Sequence, residues 1–167
     1  MILIVCNKYH FWDFYSELKN TDRKYYEIIN ESCPVKLYFD LEYYMIEQNV
    51  DKNGKLLTDK FISIVNLCIK NMLGVENSIN DVLILDSCSF KKYSVHLIFP
   101  KIIFASYLSC REFVNCVLRL VSAENLDDFM VTSNRGKQVL FIDSCVYSKN
   151  QSFRQVIHYG FILHSLK

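Results

Sequence analysis

Asp40 and Glu42 stand two residues apart in the run Val-Lys-Leu-Tyr-Phe-Asp-Leu-Glu-Tyr-Tyr, residues 35–44. On a strand, that spacing sends both carboxylates from the same face, about 7 Å apart along the chain, where they can hold a divalent cation between them. Flanked by Phe39 and Leu41, two acids are costly to desolvate unless a cation compensates; the alternative is a solvent-facing strand edge with no ligand. Ser94 and His96 repeat the spacing in Tyr-Ser-Val-His-Leu-Ile-Phe, residues 93–99, just after Lys91 and Lys92. A hydroxyl, an imidazole and an ammonium can together bind phosphate oxygens. The competing reading is a structural histidine satisfied among apolar neighbours. A serine hydrolase is disfavoured, because its nucleophile needs a sharp exposed turn and a histidine beside Oγ, which two side chains along one strand face do not provide. Asp143 follows the apolar run Leu140 to Ile142 and precedes a polar stretch holding Lys149 and Arg154. It reads either as a metal ligand beside a phosphate or nucleic-acid clamp, or as part of a loop of solvated charges. Three converging carboxylates can hold two metal ions roughly 3.5–4 Å apart, the arrangement for in-line phosphoryl transfer.

These side chains need strands to aim them. Val35 to Tyr44 alternates, with Val35, Leu37, Phe39, Leu41 and Tyr43 on one side and Lys36, Tyr38, Asp40, Glu42 and Tyr44 on the other, so it reads as a strand with one wet face. Asp51 to Gly54 is turn chemistry, and Thr58 is a candidate N-cap for a helix through Met72 that buries Phe61, Ile64, Val65, Cys68, Ile69 and Met72 and stops at Gly74. Val82–Asp86 and Tyr93–Phe99 read as strands of a hairpin joined by a polar connection, Ser87 to Lys92. Ser106–Val121 reads as an amphipathic helix with Leu108, Phe113, Cys116, Val117 and Leu120 inward. Asn134 to Lys137 is a turn before a strand over Val139–Ile142, and Val156–Leu163 is a further strand candidate. Phe11 to Lys19 is a candidate short helix, and Cys33-Pro34 breaks what precedes the first strand. Strands interleaved with helices suggest an α/β or α+β fold with helices covering one face of the sheet.

Composition limits the function classes. With 167 residues, 51% hydrophobic residues, 4 Gly and 2 Pro, the chain has material for one ordinary domain and lacks the signature of disorder or collagen. A net charge of +1 excludes a polybasic binder. The charge is unevenly spread: residues 1–90 carry 9 basic and 13 acidic side chains, residues 91–167 carry 10 and 5, so a polyanion site is expected in the second half. The seven cysteines are scattered without a C-x-x-C pair, which points to reduced, buried thiols of an intracellular protein. No apolar run reaches the length of a signal-peptide core or a membrane span, so secretion and a membrane partner are not expected.

Three segments in order, KLYFDLEYY (36–44), DSCSFKKYSVHLIF (86–99) and FIDSCVYSKNQSFR (141–154), resemble the three motifs of the archaeo-eukaryotic primase superfamily, specifically its eukaryotic and viral primase-polymerase branch. The resemblance covers about residues 33–154. It implies a single catalytic domain over 1–167 with an RRM-like palm sheet covered by helices. By it, Asp40, Glu42 and Asp143 bind two Mg²⁺ or Mn²⁺ ions as the catalytic acids. Ser94, His96 and Lys92 bind the triphosphate of an incoming nucleotide, and Lys149 and Arg154 hold the triphosphate or the template. The implied partners are a single-stranded DNA template and primer, nucleoside triphosphates, and a helicase or single-strand binding protein; the implied setting is the nucleus, the mitochondrion or a site of viral DNA replication. No Cys/His cluster follows the third motif, so no zinc module is expected. Tyr43, Tyr44 and Tyr147 are candidates for stacking on bases. A catalytically silent nucleotide or single-strand binding module, a truncated core and a metal nuclease are the competing classes.

Overall fold

The computed structural model describes residues 8–19, 22, 27–28, 33–124, 126–147 and 152–153. Contacts divide the chain into two compact units, 29–151 and 1–28 with 152–167. In the smaller unit, helix α1 (Lys8–Glu17) carries Phe11 against Tyr15 at 5.5 Å between ring centroids. It begins and ends earlier than the Phe11–Lys19 expectation. Strand β1 (Glu27–Ile28) pairs antiparallel with β7 (Ser152–Phe153).

The larger unit is built on β2 (Val35–Tyr44), whose bounds match the alternation read in sequence; Leu37, Phe39, Leu41 and Tyr43 are buried as expected, but Val35 is only partly covered and Tyr38, expected on the wet face, is buried against Tyr147. Helix α2 (Gly54–Leu73) follows, then β3 (Leu83–Asp86) and β4 (Lys92–Phe104). Helices α3 (Tyr107–Glu124) and α4 (Leu126–Phe129) lead into the hairpin of β5 (Met130–Thr132) and β6 (Gln138–Leu140). The main sheet has the order β2-β4-β3 with both pairs antiparallel, so the unit is α+β. Phe39 meets Phe61 of α2 edge-to-face at 4.9 Å and Phe99 of β4 at 5.9 Å. All three rings are fully buried, each burial being worth about 1.5–3 kcal/mol.

Several boundaries differ from the sequence reading for identifiable reasons. Strand β4 does not stop at Phe99. The register slips between Lys36 and Leu37, so that Leu37 pairs with Phe99 and Lys36 with Ile103. Pro100 falls in that irregularity, where its missing N–H costs no ladder bond. The N-cap of α2 is Asn53, whose side chain accepts the Leu56 N–H at 3.1 Å. Thr58 lies inside the helix, buried, with its hydroxyl 3.0 Å from that of Tyr93. Gly54 opens the helix because the Tyr93 ring occupies the space a Cβ would need, and Gly74 closes it with φ 67°. On α2, Met72 is half-exposed rather than buried. The buried stripe of α3 is Tyr107, Cys110, Phe113, Val114, Val117 and Val121, while Leu108 and Leu120 are about half-exposed and Cys116 is only partly covered. Phe113 and Val117 are buried as expected, and the centre of the stripe lies one residue, about 100° on a helix, from the expected one. The 156–163 strand candidate lies outside the described residues.

The six described cysteines are free thiols, but only Cys68 and Cys110 are buried; Cys33, Cys88 and Cys145 are exposed. Cys88 and Cys145 each follow an Asp-Ser pair, Cys88 in the polar connection after β3 and Cys145 in the turn 144–147, which leaves both thiols at the surface. Among the described residues no helix is long and apolar enough to cross a membrane.

Candidate active site

The antiparallel register of β2 against β4 sets the first two motifs face to face. Asp40 lies directly opposite His96, Glu42 opposite Ser94, and Tyr44 opposite Lys92. Cross-strand partners project from the same face, so both acids, the hydroxyl, the imidazole and the ammonium share one side of the sheet. Leu41, Tyr43, Val95 and Leu97 point into the core behind them.

Asp143 reaches the same place along the other edge of β2. The Glu42 N–H donates to the Phe141 carbonyl at 2.9 Å, and the Asp143 N–H donates to the Asp40 carbonyl at 2.9 Å, bracketing a bridge between Leu41 and Ile142. The strand expected over Val139–Ile142 is therefore two pieces: β6 pairs with β5, and 141–143 crosses to β2. Behind Asp143, the 3₁₀ turn Ser144–Tyr147 is fastened to β2. Tyr38 donates its hydroxyl to the Val146 carbonyl at 3.1 Å, and the Tyr147 hydroxyl donates to the Tyr38 carbonyl.

The three carboxylates are in unlike environments. Asp40 is the most enclosed, and its pKa is pushed from 3.8 up to about 7, first by burial and then by the charges of Glu42 and Asp143, with Lys92 opposing. Its Oδ1 is buried with no hydrogen-bond partner. His96 Nε2 approaches that oxygen at 3.6 Å, too long for a hydrogen bond. Glu42 is ion-paired with Lys92, whose ammonium also lies 5.7 Å from the centre of the Tyr44 ring. Asp143 Oδ1 accepts the Cys145 N–H at 2.8 Å. Among the described residues no three acid, histidine or cysteine side chains are already gathered to hold a metal ion. The chemistry of the donors nonetheless suits a hard divalent cation, which takes carboxylate oxygens, and the unpartnered Asp40 oxygen beside two further acids lacks the positive charge such an ion carries.

Of the residues singled out in sequence, Asp40, Glu42, Lys92, Ser94 and His96 share one face of the sheet, and Asp143 is hydrogen-bonded to its β2 edge at Asp40. Lys149 and Arg154 lie outside the described residues. Tyr43 and Tyr147 are not available for stacking on bases, since both are buried, Tyr43 against Tyr93 and Tyr147 against Tyr38; Tyr44 is partly exposed. Two features went unread. Asn49 is buried, donates its amide to the carbonyls of Tyr44 (2.9 Å) and Thr132 (2.8 Å), and accepts the Thr132 N–H (2.8 Å), tying β5 to the end of β2. The polar connection after β3 carries a nearly fully exposed aromatic, Phe90.

Comparison with known proteins shows what the chain is similar to. The chain is 30% identical over 184 residues to the DNA-directed primase/polymerase protein of Danio rerio, an alignment covering 92% of this chain and 35% of that protein. It is 37% identical over 111 residues to the Gallus gallus protein of the same name (65% of this chain, 19% of that one). For the Homo sapiens protein the figures are 33% over 141 residues, 81% and 25%. The chain is a primase-polymerase relative. No family model matches it. It spans roughly a third or less of the length of the primase-polymerase proteins it matches.

Proposed function

We propose that the chain is a template-dependent nucleotidyltransferase, a DNA primase or primer-extending DNA polymerase. The observation that carries the reading is the pairing of Asp40 with His96 and of Glu42 with Ser94 across one sheet face, with Asp143 brought to Asp40 from the opposite edge. In this reading Asp40, Glu42 and Asp143 hold Mg²⁺ or Mn²⁺, which supplies activation of the attacking 3′-hydroxyl and neutralises charge on the leaving pyrophosphate. Ser94 and His96 donate hydrogen bonds to the triphosphate, and Lys92 adds a point charge to it. His96 serves as a phosphate donor and not as the base, its neighbour Asp40 being the acid assigned to the metal. Lys149 and Arg154 are assigned to triphosphate or template by their motif. Single-stranded DNA, a primer and nucleoside triphosphates are the partners this requires.

A second reading, a silent nucleotide or single-strand binding module, draws support from the Lys92–Glu42 ion pair, which satisfies one of the acids without a metal. Incubating the chain with primed single-stranded DNA, deoxynucleotides and Mn²⁺ separates the two. Template-directed extension is the expected result. Oligonucleotide or nucleotide binding without extension makes the chain a binding module, and degradation of labelled DNA without nucleotides makes it a nuclease. His96→Ala is expected to weaken nucleoside triphosphate binding about tenfold, the loss of one charge-assisted hydrogen bond; unchanged affinity, measured by titration calorimetry, removes His96 from the phosphate site.

A further inference from the structure

The turn joining β3 to β4 is short and internally braced. Ser89 and Lys92 exchange backbone bonds at 2.8 and 3.3 Å, the Ser87 N–H donates to Ser94 O at 2.9 Å, and the Cys88 N–H is held by Asp86 Oδ1 at 2.7 Å. This fixed tip holds Phe90 in water, 87% exposed, the most exposed of the large hydrophobic side chains among the described residues. Lys91 Nζ lies over the Phe90 ring, 5.2 Å from its centre. The Lys91 carbonyl accepts the Met45 N–H at 2.9 Å, which brings half-exposed Met45 beside the tip, and Lys92 lies over the neighbouring Tyr44. Any polar residue would complete this turn without the cost of hydrating an aromatic ring. A single exposed apolar side chain needs no explanation, but an aromatic on a braced tip, interleaved with two ammonium groups and continuous with the face holding Ser94 and His96, has the composition of a stacking platform.

We propose that the Phe90–Lys91 tip is a contact for single-stranded nucleic acid, with a base stacked on the Phe90 ring and a backbone phosphate against Lys91. The ligand class follows from the chemistry. Aromatic faces accept any base, and lysines track the phosphates, so the contact is independent of sequence. Lys91 covers one side of the ring at cation–π distance, which leaves the remaining surface for a base. A strand bound here runs toward Lys92 and the acid-bearing face. The inference rests on the proposed function for the identity of the polymer, and on its own geometry for the place.

The test is binding of a fluorescein-labelled oligothymidylate to the full chain, followed by anisotropy without metal or nucleotide. Phe90→Ala is expected to weaken binding about tenfold, the loss of one stacked base. Lys91→Ala is expected to reduce the slope of log K against log salt by about 0.7, the loss of one phosphate contact on a single strand. Phe90→Trp is expected to bind as the parent does, with its indole fluorescence quenched by the oligonucleotide. Because the tip side chains project into water, circular dichroism of the variants should match the parent. Parent-like affinity of Phe90→Ala together with an unquenched Phe90→Trp overturns the tip contact and leaves the catalytic reading standing. A parent chain that binds no oligonucleotide overturns both.

Discussion

Asp40→Asn is expected to abolish metal-dependent nucleotidyl transfer, by about 10³-fold or more, while making the metal-free chain more stable at neutral pH. The first effect follows, on the proposed function, from removing a charged oxygen donor from the residues assigned to the metal. The second follows from the same carboxyl's environment: buried, unpartnered at Oδ1 and flanked by Glu42 and Asp143, it is held at a pKa of about 7 instead of 3.8. A raised acid pKa means that the native state binds the proton more tightly than the unfolded chain between about pH 4 and 7. Stability therefore falls as pH rises through that window and levels above it. The penalty at pH 8 is on the order of a few kcal/mol, and an amide, which carries no charge, escapes it. Thermal unfolding from pH 4 to 8 in chelator should show the parent losing stability with rising pH and Asp40→Asn losing much less. Adding Mn²⁺ at pH 8 should restore the parent and do little for the variant. Equal pH profiles for the two proteins would mean that Asp40 is not the strained group, and an active variant would remove it from the metal site.

This opposition between stability and activity is what separates a functional acid from a structural one. A salt bridge kept for the fold loses stability when neutralised. A carboxylate kept for a cation gains it, because without the cation its burial and its like-charged neighbours only oppose folding. Glu42 shows the contrast within one strand. Two residues from Asp40 on the same face, it has Lys92 as partner, so Glu42→Gln should give less stabilisation than Asp40→Asn.

The acid-bearing strand was legible because its signal is local. A period of two over Val35–Tyr44 fixes both its bounds and the face of Asp40 and Glu42, and the same period in β4 aligns Ser94 with His96. Their meeting was not legible from pattern, since register is a property of two strands. It is fixed here by core pairs such as Phe39 with Leu97 and, at the end of β2, by the Met45 N–H bond to the Lys91 carbonyl. The resemblance in the three motifs supplied what periodicity could not, the expectation that these strands share a site. Errors fell where neighbours in space decide the outcome. Tyr43 and Tyr147 looked like stacking residues by type, yet each ring is packed against another and buried. Leu108 and Leu120 looked like core by type, yet they lie one helical step from the stripe that packs. Phe90 lies in what reads as a polar connection, five of its six residues being polar or small, and only the structure shows the ring standing in water at the tip.

The third acid depends on a residue with no catalytic chemistry, and Asn49→Ala should show it. The Asn49 side chain meets both the N–H and the carbonyl of Thr132 and the carbonyl of Tyr44, so β5 is registered on the end of β2 by one buried amide. Strand β6 pairs with β5, and the Phe141 N–H is held by the Phe129 carbonyl at 2.7 Å, immediately before the bonds that place Asp143 beside Asp40. Removing the amide strands the buried Thr132 N–H, at a cost on the order of 3 kcal/mol with the lost packing included. Asn49→Asp is not expected to rescue, since a carboxylate keeps the acceptor for Thr132 but cannot donate to either carbonyl and sets charge against them. A purely global loss would speed amide exchange throughout the sheet alike. If Asn49 positions the third acid, exchange at Glu42 and Asp143, whose N–H groups join β2 to 141–143, should accelerate more than at Val95 and Leu97 in the β4 centre, and Mn²⁺ affinity should fall further than the loss of folded fraction explains. Uniform exchange with parent-like metal affinity would confine Asn49 to stability alone and leave the placement of Asp143 to the β2 edge bonds and the Tyr38–Tyr147 fastening behind it.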